Sequence, residues 1–166
     1  MRFNVKPILH TPGKSLPFRF TMDLSGSAFN GQYPAREPVE VSGAVRNTAG
    51  LLELELTAST VLDARCDRCA RPIRIPVDIP FRCLLAEELE DEDSDEIVLL
   101  EDGEVDLDEL ARTAFILGID TRFLCSEDCK GLCPRCGADL NQGPCSCKKE
   151  TDPRLAALAA LLENKE

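Results

Sequence analysis

The chain has 166 residues with 43% hydrophobic content, enough for one domain with a small appendage, and no apolar run approaches the roughly 18 residues needed to span a bilayer. Its formal charge of −11 argues at face value against a polyanionic partner, but 14 of the 30 acidic residues fall between Glu87 and Glu109, where there is no Lys or Arg. The remaining 16 acids against 19 Lys and Arg leave the rest of the chain at +3. Nine cysteines with a single histidine, and no basic n-region followed by an apolar core after Met1, place the expected protein in the cytoplasm rather than in an oxidising compartment.

Taken in order, Phe3 to Ile8 is a short mixed segment, and His10 sits in a polar turn region where solvation is its expected state. Leu16 to Leu24 alternates as a strand, with Pro17 marking a sheet edge, and the glycines and prolines between Ser25 and Pro38 read as a loop. Val39–Val45 and Leu52–Thr57 alternate with period two around the turn residues 47–50, which predicts a hairpin. Strand character continues over Ala58–Ala64, reverses at Cys66-Asp-Arg-Cys69, and returns over Ile73–Leu85. Pro76 and Pro80 put the returning strand at an edge or break it with bulges. Cys83, in step with Phe81 and Leu85, reads as a core residue.

The run from Glu87 to Glu96 is too charged to fold alone and is expected as a solvated tether. Asp106-Leu-Asp-Glu109 has the form of a capping box, followed by Leu107, Leu110, Ala111, Ala114 and Phe115 at helical spacing. This helix, from about Asp106 to Leu117 and ended by Gly118, should cover one sheet face. Asp152-Pro153 begins a second short helix with Leu155, Leu158, Ala159 and Leu162 on one side. The expected fold class is α+β: a mainly antiparallel sheet, a covering helix and a Cys-rich zinc-binding C-terminal lobe. Residues 1–86 form the β-rich part, 87–104 the acidic linker and 105–166 the helices and Cys-rich lobe, within one compact domain.

The chemistry is concentrated at Cys125 to Cys147. Cys133-Pro-Arg-Cys136-Gly has the two-residue gap and trailing glycine of a zinc knuckle, and Cys66/Cys69 repeats the gap upstream. With Cys125, Cys129, Cys145 and Cys147 these make eight thiolates, enough for one or two zinc ions. A disulfide framework, a redox pair and an iron–sulfur cluster use the same residue type, the last not separable from zinc by spacing. One division puts Cys133, Cys136, Cys145 and Cys147 on a local ion, leaving Cys66, Cys69, Cys125 and Cys129 to tie the strand reversal to the chain after the helix. The competing division pairs the two C-x-x-C knuckles. Arg65, Arg68, Arg71 and Arg74 bracket the first pair, and Lys130, Arg135, Lys148 and Lys149 accompany the second cluster. They are candidate RNA contacts or, equally, a solvated face offsetting thiolate charge.

A Val-x-Val-x-Gly strand, a Cys-x-Arg-Cys pair, an acidic insert, Gly103-Glu-Val-Asp-Leu107 and Cys129-Lys-Gly-Leu-Cys-Pro-Arg-Cys-Gly-Ala-Asp-Leu-Asn141 together resemble the YceD family over residues 39 to 162. Leu117-Gly-Ile-Asp120 departs from the Leu-Pro segment usual there. The resemblance implies a non-enzymatic role in accumulation of 23S ribosomal RNA and large-subunit assembly. The implied partner is pre-ribosomal RNA, through the basic lobe, or a basic large-subunit protein, through the acidic insert; no membrane is involved. Two other classes stay open: a thiol or zinc redox sensor, and a metal-dependent nuclease, against which an all-cysteine ligand set argues.

Overall fold

The computed structural model describes residues 1–88 and 97–147. In chain order the elements are β1 (Arg2–Asn4), α1 (Lys6–Leu9), β2 (Ser15–Met22), β3 (Val39–Thr48), β4 (Leu51–Arg65), β5 (Pro72–Ala86), β6 (Ile97–Leu99), β7 (Glu104–Asp106) and α2 (Leu107–Gly118). Strands β2 to β6 form a sheet in sequence order, antiparallel except for the short parallel pair β5–β6, while β1 and β7 make a separate antiparallel pair. Among the described residues no helix is long and apolar enough to cross a membrane.

Period-two alternation sets the core. Val39, Val41 and Val45 from β3 and Leu52, Leu54, Leu56, Ala58 and Leu62 from β4 share the buried face, covered by Leu107, Ala111 and Phe115 of α2. Gly43 falls on this face opposite Phe18 of β2, and a Cβ there would collide with the Glu55 carbonyl of β4 and lie 2.8 Å from the Phe18 ring, so only glycine fits between them. The strand character expected to continue past Thr57 does so as one β4, because Thr57 and Ala58 keep the alternation in phase.

Strand β5 pairs with β4 without interruption from Leu52↔Leu85 to Arg65↔Pro72, so no bulge accommodates its prolines. Among the described residues its outer side is paired only where β6 meets Leu84 to Ala86. Pro72, Pro76 and Pro80 share one parity in the unpaired stretch, where a missing N–H leaves no ladder bond unmade. The segment expected as an acidic linker contributes β6, since Ile97-Val-Leu99 is an apolar triplet that can join the sheet. The most acidic part of the insert, with Glu90, Asp91, Glu92, Asp93, Asp95 and Glu96, lies outside the described residues, as does the segment expected to form the second helix.

Asp106 caps α2, its Oδ1 accepting from the amides of Asp108 at 3.0 Å and Glu109 at 3.3 Å. Gly118 is the last helical residue for a reason the sequence does not disclose: a Cβ there would lie 2.5 Å from the Ile79 side chain. Asn47, expected in the turn, is instead a buried residue of β3. Its Nδ2 donates to the carbonyls of Ile8 at 2.7 Å and Leu9 at 2.9 Å, and its Oδ1 accepts from Gly50 N. The turn itself is Ala49-Gly50, both at positive φ, as a two-residue hairpin demands.

Because Asn47 satisfies the end of α1 from inside the sheet, Asn47→Ala should cost about 1–3 kcal/mol. In a chain of this size that lowers the melting temperature by roughly 2–4 °C per kcal/mol. Leu51→Ala, at a position 63% exposed, should leave it unchanged. Thermal unfolding followed by circular dichroism compares the two, and equal melting temperatures would remove Asn47 as a structural tie.

Candidate metal centres

The hairpin of β4 and β5 ends in the first knuckle, which takes the place of an ordinary turn. Cys66 N donates to Arg71 O at 2.9 Å and Ala70 N to Cys66 O at 2.8 Å. Ala70 holds φ +57°, the left-handed conformation that Gly137 supplies at the matching place after Cys136. From the other direction, α2 hands the chain to buried Ile119 and Phe123, and Asp67 locks that segment against the knuckle. Its amide donates to Phe123 O and its Oδ2 accepts from Phe123 N, both at 2.8 Å. The path through Leu117-Gly-Ile-Asp120 thus delivers Cys125 and Cys129 to the tip of the hairpin.

All nine cysteines are free thiols, and eight of them gather into two groups. Cys66, Cys69, Cys125 and Cys129 form one, Cys133, Cys136, Cys145 and Cys147 the other, with the sulfurs of each group within 4.8 Å of one another. This is the division into a local and a long-range set, and the pairing of the two C-x-x-C knuckles on one ion is not what the chain adopts. In the first group Cys66 Sγ lies 3.8 Å from Cys129 Sγ and Cys69 Sγ 3.6 Å from Cys125 Sγ. A tetrahedral ion with bonds of about 2.3 Å to sulfur needs sulfur–sulfur edges of about 3.8 Å, so the donor set fits such an ion. Cys83 stands apart in the sheet core, where burial pushes its thiol up to about 11.

The environments favour thiolates at chosen sulfurs. Burial opposes ionisation of Cys66, but backbone amides of Cys125, Cys69 and Arg68 donate to its sulfur and bring the thiol down to about 6. The amides of Cys136 and Arg135 act likewise on Cys133, with the Cys145 side chain adding to them, and it also falls to about 6. Their neighbours take the opposite sign: Cys129, together with burial, raises Cys125 to about 12, and Cys136, together with burial, raises Cys147 to about 12. Four thiols in one small volume cannot all ionise unaided, and a divalent cation removes that opposition.

The two groups differ in shielding. Cys66, Cys69 and Cys129 are buried beside Ile73 and Leu124, whereas Cys136 is exposed and Cys145 and Cys147 are half-buried. They are also joined. Asn141, in the loop between Cys136 and Cys145, donates from Nδ2 to Cys129 Sγ at 3.5 Å and accepts from Lys130 N through Oδ1 at 2.8 Å. Asp139 orients Asn141 by accepting from its amide at 2.9 Å and its Nδ2 at 2.7 Å. Sequence reasoning passed over Asn141, although the Asp139-Leu-Asn141 spacing is that of a side-chain-capped turn.

Several arginines singled out as nucleic-acid contacts have structural duties. Arg68 Nη1 donates to the carbonyls of Glu127 and Cys129, each at 2.9 Å, and Arg68 O accepts from Leu132 N beside Gly131, where a Cβ would come within 2.8 Å of that oxygen. Arg71 pairs with Asp139 at 3.4 Å, and Arg74 with Glu37 at 2.6 Å and Asp63 at 3.1 Å. Arg65 donates to Ala70 O at 3.4 Å and makes no ion pair among the described residues. Lys130 and Arg135 are exposed; Lys148 and Lys149 lie outside the described residues.

Removal of Cys66 should therefore loosen the sheet, whereas Cys145→Ala with Cys147→Ala should lower its thermal transition far less. Asn141→Ala should weaken metal retention at the first group alone, by about 10–100-fold, as expected for loss of a partner that orients a ligand. Cobalt titration against a competing chelator, read by thiolate absorption in the two variants, separates the groups. An equal loss of sheet stability on Cys66→Ala and Cys133→Ala would contradict the division of labour.

The family model "Large ribosomal RNA subunit accumulation protein YceD" matches residues 54–162, more than half of the chain. A maize protein named large ribosomal RNA subunit accumulation protein YCED homolog 1, chloroplastic, is 28% identical over 175 residues, covering 86% of this chain, which spans 58% of that relative's length. An uncharacterized protein of Mycobacterium tuberculosis is 30% identical over 146 residues, covering 78% of this chain and 70% of its own. The uncharacterized protein YlbN of Bacillus subtilis is 26% identical over 167 residues, with 98% and 97% covered. No solved structure matches. With both cysteine groups and most of the strand that leads into the first of them inside the matched span, the chain belongs to the YceD family.

Proposed function

We propose that this protein is a non-enzymatic, cytoplasmic factor that promotes accumulation of large-subunit ribosomal RNA, holding pre-ribosomal RNA on a surface that zinc stabilises. The observation that carries the reading is the pair of four-thiolate groups within a family match whose description names large ribosomal RNA accumulation. Four thiolates saturate a tetrahedral ion and leave no position for substrate or water, which is the donor arrangement of a structural site rather than a catalytic one. Zinc in the first group would fix the hairpin tip of β4 and β5 to the chain after α2, and zinc in the second would close the segment from Cys133 to Cys147 on itself.

RNA is favoured over a basic protein partner by the charge excess outside the acidic insert. With Arg68, Arg71 and Arg74 already engaged, the cations left for phosphate are fewer than the composition suggests. A second reading, a thiol sensor, draws on the exposure of Cys136, whose loss to oxidation would open the second group and leave the buried first group intact.

In a bacterial host deleted for its own YceD protein, this chain should restore the ratio of 23S to 16S ribosomal RNA, and Cys66→Ala with Cys69→Ala should not. The purified protein should carry two zinc ions per chain, one for each thiolate group. An unchanged rRNA ratio on deletion and complementation would overturn the assembly reading, and an iron chromophore would overturn zinc.

A further inference from the structure

Of the aromatic residues, seven Phe and one Tyr, every Phe is buried or half-buried, and Tyr33 is 58% exposed. Tyr33 stands in a groove of about 570 Å³ lined also by Arg36, Arg65 and Arg74, with one carboxylate, Asp63. Its backbone is pinned on both sides. Before it, Gln32 Oε1 accepts from Arg65 N at 2.7 Å, while Gln32 Nε2 donates to Arg65 O and Asp67 Oδ1, each at 3.2 Å. After it, Pro34 is buried, Pro34 O accepts from Asp63 N at 2.8 Å, and Ala35 is buried. An exposed ring on so firmly tied a segment is a platform and not a loose loop tip.

The charges are arranged around it with a consistent sign. Arg74 is shared by Glu37 and Asp63, a trio that keeps one net negative charge, and Arg36 and Arg65 outweigh it to leave the groove at +1. Arg36 and Arg65, which form no ion pair among the described residues, are then the cations facing the groove. Exposed aromatic face and flanking guanidinium groups are what unpaired nucleotides need, the ring for a base and the cations for phosphates. A duplex, whose bases are stacked on one another, cannot use the ring.

We propose that this groove is a subsite for single-stranded RNA, with one base stacked on Tyr33 and the adjoining phosphates held by Arg36 and Arg65. The inference deepens the RNA-binding function proposed above and rests on it. It also narrows the contact: the groove lies on the loop before β3, the last residues of β4 and the first of β5, beside the first knuckle. Gln32 and Asp67 couple the two, since the residue that positions Arg65 is bonded to the residue that locks Phe123.

The chain has one Tyr and no Trp, so its tyrosine emission reports on Tyr33 alone. Titrating the full-length protein with oligoadenylate, corrected for RNA absorption with free tyrosine amide, should quench that emission, and the corresponding A·U duplex should not. With fluorescein-labelled oligoadenylate, Tyr33→Ala should weaken binding at least about five-fold and Tyr33→Phe should restore it. Arg36→Ala and Arg65→Ala should each lower the slope of log affinity against log salt by about 0.7. Thermal unfolding of each variant confirms that folding is retained. Binding of oligoadenylate without quenching, and within two-fold of wild type in Tyr33→Ala, overturns the subsite but leaves RNA binding elsewhere on the protein. Absence of binding to any single-stranded RNA overturns both readings. Quenching by polyglutamate and not by RNA assigns the groove to an acidic protein segment and overturns the proposal.

Discussion

The unbroken register between β4 and β5 is the constraint on which the rest of the molecule depends. Fourteen consecutive pairs run from Leu52↔Leu85 to Arg65↔Pro72, and the parity that buries Leu54, Leu56 and Leu62 also decides which way Cys66 leaves the hairpin. A slip of one residue would turn the leucines to solvent and rotate the knuckle away from Cys125 and Cys129. Hydrophobic burial thus specifies the position of a polar site at the far end of the hairpin. At about 25 cal/mol per Å² of apolar surface, each of those leucines contributes on the order of 2 kcal/mol to keeping that register.

Features governed by local period or spacing were legible in the sequence. The alternation of β3 and β4, the cap at Asp106 and the helix from Leu107 follow from patterns that a dozen neighbouring residues determine. The division of eight thiols was readable for the same reason, since eight residues with two glycines between Cys136 and Cys145 make the local closure the easy one. What was not legible depends on who arrives from a distance. Asn47 looks like a turn residue because Asn so often is one, and only the approach of α1 makes it a buried cap. Gly118 looks like a helix stop, and its real partner is Ile79, 39 positions earlier. The prolines of β5 suggested an edge or bulges without deciding between them, and their shared parity on the side that carries no ladder is the edge reading.

The same distinction explains the arginines. Clustering around a cysteine pair is a reasonable sign of a binding patch, but a knuckle exposes carbonyl oxygens that need donors, and a guanidinium supplies several in a fixed plane. Arg68 is used in this way, bridging Glu127 O and Cys129 O. Arg65, immediately before Cys66, reaches only Ala70 O, at 3.4 Å, among the described residues and is exposed. Spacing from a cysteine does not separate these two roles; the carbonyls that the chain after α2 brings to the hairpin tip do.

The two thiolate groups have unequal energetics although their ligands are identical. Closing the first group joins Cys69 to Cys125 across 56 positions, whereas the second joins Cys136 to Cys145 across nine. For free chains the longer closure costs about 1.6 kcal/mol more, from (3/2)RT ln(56/9). The fold offsets much of that difference: the hairpin places one pair, α2 and Phe123 place the other, and the Asp67 contacts hold the two segments together. The second group has no such scaffold except the first, against which Asn141, the Arg71–Asp139 pair and the close approach of Gly131 to Arg68 seat it. Order therefore propagates from sheet to first group to second. Disturbing the outer group leaves the inner one largely assembled, and disturbing the inner one removes the surface on which the outer is built.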